Sequence, residues 1–337
     1  MSGRPQAAPI WILLATFNGA RFLPELMASL FAQTDSDWIV LASDDASEDR
    51  TPELLRDYAA RDRRIVLLPP VAGRLGACAN FERLLQAALD VGAGWFALCD
   101  QDDVWYVEKL AAMRAALSNP LFDAAVPMLA YADLALIDDE GRCLAPSHFG
   151  HAGVPQVRTG VDVWLLAHNL VPGCAMLGNR ALLELALPLP AQVRHHDWWL
   201  LLVAAAAGEV RAVDAVLTGY RQHSGNLIGA ASPMRRAWAF VSHFAERFDA
   251  ARRQYALAVA QDRALLERSA QRVGPTLNPR WARLAACACA QLGSARCRTR
   301  VAAVLGGPVR RLGMARNLLM LVAAACPMPD RNEGPQC

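Results

Sequence analysis

Short apolar runs that alternate with amphipathic segments constrain the fold of this chain more than any other feature of its sequence. Each run lies between turn residues and is rich in Ile, Leu, Val, Phe or Trp, which favours a strand buried on both faces. The predicted strands are 10–15, 38–42, 65–68 and 95–99, and the predicted helices between them are 21–33, 51–61 and 80–89. This strict alternation predicts an α/β fold with a mostly parallel sheet flanked by helices.

The regular alternation of strands and helices becomes less strict after residue 127 and ends near residue 233. Segments 128–137 and 213–220 still predict strands, and 197–207 predicts a strongly apolar helix. After residue 233 long Arg-rich helices are expected, interrupted at Gly-Pro positions. We therefore place a boundary near residue 232. It separates an α/β domain (1–232) from an α-helical C-terminal region (233–337).

Three polar clusters, 16–19, 43–49 and 100–103, follow predicted strands of the first half. In open α/β sheets, ligands bind beyond the carboxyl ends of the strands. These clusters are therefore the candidate site.

The sequence Asp100-Gln101-Asp102-Asp103 follows directly on the apolar strand WFALC. Carboxylates that converge on one point offer the hard oxygen ligands that suit Mg²⁺ or Mn²⁺, and such an ion can hold a diphosphate. The alternative interpretation is a solvated acidic turn. Asp44 ends the second strand, where a carboxylate can accept a hydrogen bond from a nucleobase or a ribose. Its alternative is an Asx turn that caps the next helix.

The run His195-His196-Asp197-Trp198-Trp199 opens the apolar helix. Two indoles beside a carboxylate would exclude water around a general base, or would form a platform for a sugar ring. The alternative is a helix-capping Asp followed by two core tryptophans. After the last strand, Arg221 is a candidate phosphate contact and His223 a candidate metal ligand.

Together these segments resemble the family 2 glycosyltransferases of the GT-A fold. The resemblance runs from Ile10 to Gly229 through LLATFNGARFLPE, SDDASEDRT, ANFERLL, LCDQDDVW, NLVPGCAM, HHDWWL and YRQHSGNLIGA, in that order. The DQDDVW, HDWW and YRQH segments are most similar to bacterial rhamnosyltransferase-type members that build cell-surface polysaccharides.

The resemblance implies a role for each matching residue. The nucleotide would contact Thr16, Phe17, Asn18, Asp44, Arg74 and Asp102; Mg²⁺ or Mn²⁺ would bind Asp100, Asp102, Asp103 and His223; the acceptor would meet Gly173, Trp198 and Trp199. Asp102 is the favoured central ligand, and Asp197 would be the catalytic base. Two departures from the family pattern are Phe17, where Tyr is usual, and the absence of an Asn-x-Gly before Ala79.

The implied reaction is an inverting transfer of a sugar, L-rhamnose in the closest pattern, from a dTDP or UDP sugar to a hydroxyl of a growing cell-surface glycan or lipid-linked glycan. Two alternatives belong to other classes. One is a sugar-nucleotide-binding scaffold without catalysis. The other is an aspartyl-nucleophile phosphatase, which needs a cation near the phosphate; the single lysine, Lys109, lies on the following helix.

Charge and cysteine content predict where the protein acts. A net charge of +2 does not favour a nucleic-acid partner, and nine cysteines without a framework favour reduced thiols in the cytoplasm. We expect neither a signal peptide nor a spanning helix. From Arg268 to Pro329 there is no acidic residue, and Arg310, Arg311 and Arg316 have apolar neighbours. This pattern predicts peripheral contact with the inner face of a membrane. The alternative is a helical lid packed on the α/β domain, or a dimer contact, with arginine on the solvated face.

Overall fold

Strands and helices alternate along the first hundred residues as predicted. The computed structural model describes residues 8–118, 123–154, 166, 168–222, 244–271, 278–292, 298–299 and 301–302. Within them the strands are β1 (Ile10–Thr16), β2 (Trp38–Asp44), β3 (Ile65–Leu67), β4 (Trp95–Asp100), β5 (Val104–Trp105), β6 (Met128–Ile137), β7 (Cys143–Ala145), β8 (Met176–Asn179) and β9 (Glu209–Arg221). The helices are α1 (Leu23–Phe31), α2 (Thr51–Arg61), α3 (Ala77–Asp90), α4 (Lys109–Leu117), α5 (His148–Ala152), α6 (Arg180–Ala186), α7 (His196–Ala207), α8 (Phe244–Gln271) and α9 (Pro279–Leu292).

The described strands form one sheet in the order β3-β2-β1-β4-β8-β6-β9-β5, with β7 paired to β6. Strands β1 to β4 are parallel, as strand–helix alternation requires. β8 runs antiparallel to both β4 and β6, whereas β9 is parallel to β6. The sheet is therefore parallel where it carries the polar clusters and mixed beyond β4.

Alternation along β1 divides the core between the two faces of the sheet. Ile12 and Leu14 pack with α1 and α4 on one face, and Leu13 packs with α3 and α7 on the other. Both faces are covered, which explains why the early strands read as continuous apolar runs rather than alternating ones.

The described part of the C-terminal region packs on the α/β domain. Trp281 of α9 is fully buried in the same apolar cluster as α3 and α7. Arg268 of α8 donates to the carbonyls of Leu185 (3.2 Å), Ala186 and Pro188. These contacts satisfy carbonyls at the end of α6 and anchor α8 there. The predicted boundary at residue 232 lies outside the described residues.

None of the helices in the described part of the chain combines the length and apolar character that a membrane-spanning helix needs.

Candidate active site

The carboxyl ends of β1, β2 and β4 lie side by side. Thr16 is in register with Asp44, and Ala15 is in register with Asp100. The prediction that the three polar clusters share one edge of the sheet is therefore confirmed.

Asp44 is held by three hydrogen bonds. Its Oδ1 accepts from the hydroxyls of Thr16 (2.8 Å) and Ser47 (2.6 Å), and its Oδ2 accepts from the Ser47 N–H (2.8 Å). The hydrogen bonds from Ser47 are those of an Asx turn, so the alternative interpretation of Asp44 describes its local structure correctly. A carboxylate has about four lone-pair positions, so this half-buried group can still accept from a ligand.

Gln101 joins the first loop to the acidic motif. Its side-chain amide accepts from the Phe17 N–H (2.8 Å) and donates to the Phe17 carbonyl (2.7 Å), as a neighbouring strand would. A Cβ at Gly19 would lie 2.0 Å from Gln101 Oε1, so this contact requires glycine at position 19. Asn18 has a left-handed φ of 49°, and its side chain accepts from the Glu48 N–H (2.8 Å).

Asp45 brings the 74–76 loop to the site. This buried carboxylate accepts from the N–H groups of Leu75 (2.5 Å) and Gly76 (2.9 Å). The adjacent Arg74 places its guanidinium 4.0 Å from the centroid of the Phe17 ring. The structure thus brings together an aromatic face and an exposed cation that the sequence only suggested separately.

The acidic motif splits into inward and outward groups. Asp103 is 1% exposed, whereas Asp100 and Asp102 are half-buried. One carboxylate oxygen each of Asp100 and Asp103 and the Cys174 thiol lie within 4.8 Å of one another. Burial, and then the charges of neighbouring aspartates, raise the pKa of Asp103 to about 7 and raise that of Asp100 well above its usual value.

Lys109 lies beneath this cluster rather than pointing away along α4. The residue is fully buried, and its Nζ donates to the Cys174 carbonyl (2.5 Å) and the Thr218 hydroxyl (2.9 Å). Burial lowers the pKa of its ammonium to about 8, opposed by Cys174, Cys99, Asp103 and Asp100. The lysine is therefore close to the acidic motif, contrary to the sequence-based expectation, but it is closed off from a substrate phosphate.

Arg221 is also fully buried. Its Nε donates to the Asp102 carbonyl (2.8 Å), and its terminal nitrogens donate to the carbonyls of Asp138 and Asp139 and to Glu25 Oε2 (2.6 Å). The suggestion that Arg221 neutralises a phosphate is wrong for this arrangement, because the guanidinium is closed off from solvent and is occupied by the backbone of two loops.

Asp197 lies in the first turn of α7, facing the Gly173 turn. Its Oδ1 accepts from the Trp198 N–H (2.8 Å), and its Oδ2 accepts from the Asn169 amide (2.9 Å). A Cβ at Gly173 would approach Asp197 Cβ to 3.4 Å and His196 Nε2 to 3.3 Å. Glycine therefore lets the turn pack closely against the candidate base.

Trp198 and Trp199 do not form an acceptor platform. Both are fully buried, and the Trp199 indole donates to the Ala186 carbonyl (3.0 Å). The expectation that they contact the acceptor is corrected: they are core residues, as the alternative interpretation proposed. His196 stacks on Phe81 at 3.9 Å, and burial lowers its pKa to about 4.

His223 lies outside the described residues, so its assignment as a metal ligand stays a prediction. The chain is described up to Gln222, immediately after β9. β9 ends beside the acidic motif, because the Arg221 N–H donates to Asp103 Oδ1 (3.2 Å).

The sequence interpretation assigned no role to Gln101, Asn169 or Cys174, and it placed Lys109 away from the site. Gln101 lies within the acidic motif, and its pairing with the backbone of Phe17 gave no signal in the sequence. Asn169 and Cys174 lie on either side of Gly173, which the resemblance assigned to the acceptor site, but only the folded chain shows which atoms they face. Lys109 stands out as the single lysine, but nothing in its local sequence shows that its Nζ meets the Cys174 carbonyl.

The acidic motif fits a hard divalent cation. Among the described residues, the buried Asp103 Oδ2 has no hydrogen-bond partner, and two carboxylates lie close together. Carboxylate oxygens are the preferred ligands of Mg²⁺ and Mn²⁺.

Comparisons with known proteins agree with this geometry. The family model described as Glycosyl transferase family 2 matches residues 11–182. A dTDP-rhamnosyl transferase, RfbG of Shigella flexneri, is 26% identical over 230 residues, which is 64% of this chain and 74% of RfbG. The uncharacterized protein Rv1520 of Mycobacterium tuberculosis is also 26% identical, over 67% of this chain and 62% of its own length.

Among solved structures, S. aureus TarS (residues 1–349) in complex with UDP-GlcNAc superposes with a TM-score of 0.54 at 14% identity, covering 94% of this chain and 79% of that one. The likeness supports the GT-A-type fold. The matched segment 11–182 spans just over half of the chain and contains the first-strand loop, Asp44 and the whole DQDD motif. The chain therefore belongs to glycosyl transferase family 2 and is a glycosyltransferase.

Proposed function

We propose that this enzyme transfers L-rhamnose from a dTDP or UDP sugar to a hydroxyl of a growing cell-surface glycan or lipid-linked glycan, with inversion at the anomeric carbon. Asp197 is the general base. The acceptor hydroxyl gives its proton to Asp197, its oxygen bonds to the anomeric carbon, and the bond from that carbon to the nucleoside diphosphate breaks on the opposite face.

The placement of Asp197 is the observation that carries this proposal. Its carboxylate is fixed from two sides by Asn169 and by the start of α7. It faces the Gly173 turn and lies close enough to Asp100 for the charge of Asp197 to raise the pKa of that carboxyl. A base aimed at the edge of the donor site is what a single displacement needs.

The donor side is supported by the first-strand loop. Asp44, positioned by Thr16, offers an acceptor to a base or ribose, while Phe17 and Arg74 offer an aromatic face and a phosphate contact beside it. A divalent cation held by Asp100, Asp102 and Asp103, with His223, would neutralise charge on the departing diphosphate.

The sugar and the nucleotide are proposed from the relative. RfbG is named a dTDP-rhamnosyl transferase. The TarS structure whose fold this chain shares is a complex with UDP-GlcNAc. Both names point to a pyrimidine nucleotide, which we propose binds at the first-strand loop.

Nucleotide release and product formation by the purified enzyme test the proposal. The donors would be dTDP-rhamnose, UDP-glucose, UDP-GlcNAc and GDP-mannose, each in Mn²⁺, in Mg²⁺ and in EDTA. We expect release with a pyrimidine donor, greatest with dTDP-rhamnose, and loss of donor affinity in EDTA. Equal affinity with and without metal would refute the metal assignment, and transfer of another sugar would replace rhamnose.

Asp197→Asn separates the base from binding. The change is nearly isosteric, so calorimetric donor affinity should persist while turnover falls about 10²–10⁴-fold, the usual contribution of a positioned base. Asp57→Asn, at an exposed position on α2, is the matched control and should leave turnover unchanged. Near-normal transfer by Asp197→Asn would mean that Asp197 only caps α7.

A further inference from the structure

The chain contains 34 lysines and arginines, and Lys109 is the only lysine among them. That residue is also fully buried, at the first position of α4. All the other residues of this set are arginines, so Lys109 is an exception. Its surroundings supply a physical reason for a lysine at this position.

Three groups surround the Lys109 ammonium. It donates to the Cys174 carbonyl (2.5 Å) and to the Thr218 hydroxyl (2.9 Å), and it lies 3.6 Å from the centroid of the Trp105 ring. These neighbours match the three N–H donors of an ammonium, which acts as a compact point charge. A planar guanidinium with five donors would leave several of them without partners in the same buried space.

The ammonium connects the two halves of the proposed site. On one side lie the carboxylates of the buried Asp103 and the half-buried Asp100, each with one oxygen within 4.8 Å of the Cys174 thiol, and the charge of Lys109 lowers the pKa of both. On the other, it holds the carbonyl of Cys174, which directly follows Gly173 in the turn that packs against Asp197. The Lys109 ammonium therefore contacts the Gly173 turn, which faces the candidate base. It also offsets the negative charge of the acidic motif, which faces the proposed donor site.

We propose that Lys109 is a positioning residue. It is a fixed internal cation that stabilises the half-buried Asp100 and the buried Asp103 at and just beyond the end of β4, and it holds the Gly173–Cys174 turn beside them. The kinetic part of the test rests on the proposed function, whereas the spectroscopic part does not.

Substitutions at position 109 provide the kinetic test. Lys109→Met keeps most of the volume but removes the charge, and Lys109→Arg keeps the charge but not the compact shape. Rates would be divided by the number of nucleotide-binding sites found by calorimetry, so that unfolded protein does not count as lost catalysis. We expect both variants to keep the donor KM within about threefold and to lose kcat on the order of 10²-fold, the cost of a misplacement of about 1 Å.

Arg114→Met is the matched control. Arg114 lies on the same helix and is 12% exposed, but its guanidinium binds Asp35 (2.6 Å), away from the acidic motif. Its loss should lower stability and leave kcat per site unchanged. Normal kcat in Lys109→Met, or an equal loss in Arg114→Met, would overturn the proposal.

A single lysine also allows a direct measurement. Protein labelled with ¹³C and ¹⁵N in lysine gives one set of side-chain signals. We expect the Cε signal of unliganded protein to move in Asp103→Asn and not in Asp57→Asn, because only the first change removes a charge that Lys109 senses. An unmoved signal in Asp103→Asn refutes the electrostatic link even if position 109 tolerates no substitution. Absence of sugar transfer by the unmodified enzyme would instead refute the proposed function and leave this result standing.

Discussion

At the scale of single residues, the candidate site depends on side chains that fix other side chains. Asn169 donates to Asp197, and only its Nδ2 can face a carboxylate, since a flipped amide would place oxygen against oxygen. Its Oδ1 is buried and has no partner among the described residues. The Asn169 amide therefore has one favourable orientation, and in it the side chain holds the carboxylate of the candidate base in place.

We predict that Asn169→Ala lowers kcat about 10- to 100-fold with little change in donor KM, because a hydrogen bond to a charged group contributes roughly 1.5–3 kcal/mol. Steady-state kinetics with the preferred donor provide the measurement. In an Asp197→Asn background the same change should have little further effect. A full additional loss there would show that Asn169 acts elsewhere.

His196 makes stability depend on pH. Its folded pKa, lowered to about 4 from 6.5 chiefly by burial, means that the unfolded chain binds more protons between these values. Stability should therefore rise from pH 4 to 6.5 and be lost as pH falls through that window, by up to about 3 kcal/mol. Urea unfolding at several pH values tests this. In His196→Gln the free energy of unfolding should depend less on pH between 4 and 6.5. An unchanged pH dependence in this variant would contradict the prediction.

At the scale of elements, the end of β9 joins parts of the chain that are far apart in sequence. Arg221 connects this strand to the acidic motif, to the 138–139 turn and to α1. The guanidinium also lies 4.8 Å from the centroid of the Phe22 ring. The planar guanidinium donates to carbonyls on several sides at once, which the single ammonium of a lysine does poorly.

We predict that Arg221→Met lowers the free energy of unfolding by about 3–5 kcal/mol, because buried acceptors lose their donor. Arg221→Lys should recover only part of this loss. Glu25→Gln is the control: it removes the partly exposed ion-pair partner but keeps an acceptor, and should cost about 1 kcal/mol or less. Urea unfolding measures all three, and equal values for Arg221→Met and Glu25→Gln would be the contrary result.

At the scale of the whole molecule, α8 and α9 share an apolar cluster with the sheet. Trp281 is fully buried there, and the Asn278 N–H donates to the Ala206 carbonyl (2.8 Å) at the end of α7. The described helices therefore direct apolar surface at the enzyme itself, as amphipathic helices in globular proteins do. Removing everything after residue 232 would expose this core, so truncation is a poor test of membrane contact.

Membrane contact stays a prediction for the segment that contains Arg310, Arg311 and Arg316, which lies outside the described residues. Each cation near an anionic surface contributes about 1 kcal/mol. Full-length enzyme should float with anionic vesicles at low salt, and less at high salt or on neutral vesicles. Serine at these three positions should reduce flotation, while serine at the exposed Arg50, Arg61 and Arg63 serves as a charge-matched control. Equal flotation of both triple variants, or no flotation of the unmodified enzyme, would favour packing or self-association.

The sequence by itself determined the order of strands and helices in the first half, because burial on both faces of a parallel sheet leaves apolar runs and each strand end leaves polar residues. It also brought Asp44, Asp102 and Asp197 forward as candidates, because each carboxylate follows an apolar strand or opens a helix. Turn and capping roles fit those positions equally well, and the family resemblance gave the three residues their functional roles.

Only the tertiary structure decided which groups share a space, because contacts between residues far apart in the chain leave no periodic trace. Lys109 shows this most clearly: the sequence placed it on the helix after the acidic motif, but its Nζ meets Cys174, which lies beyond several intervening elements. Trp198 and Trp199 show the converse, since their type permitted a sugar platform and only burial identified them as core. Local patterns determine secondary structure through backbone sterics and period, whereas the chemistry of the site depends on desolvation and charge that exist only once the chain is folded.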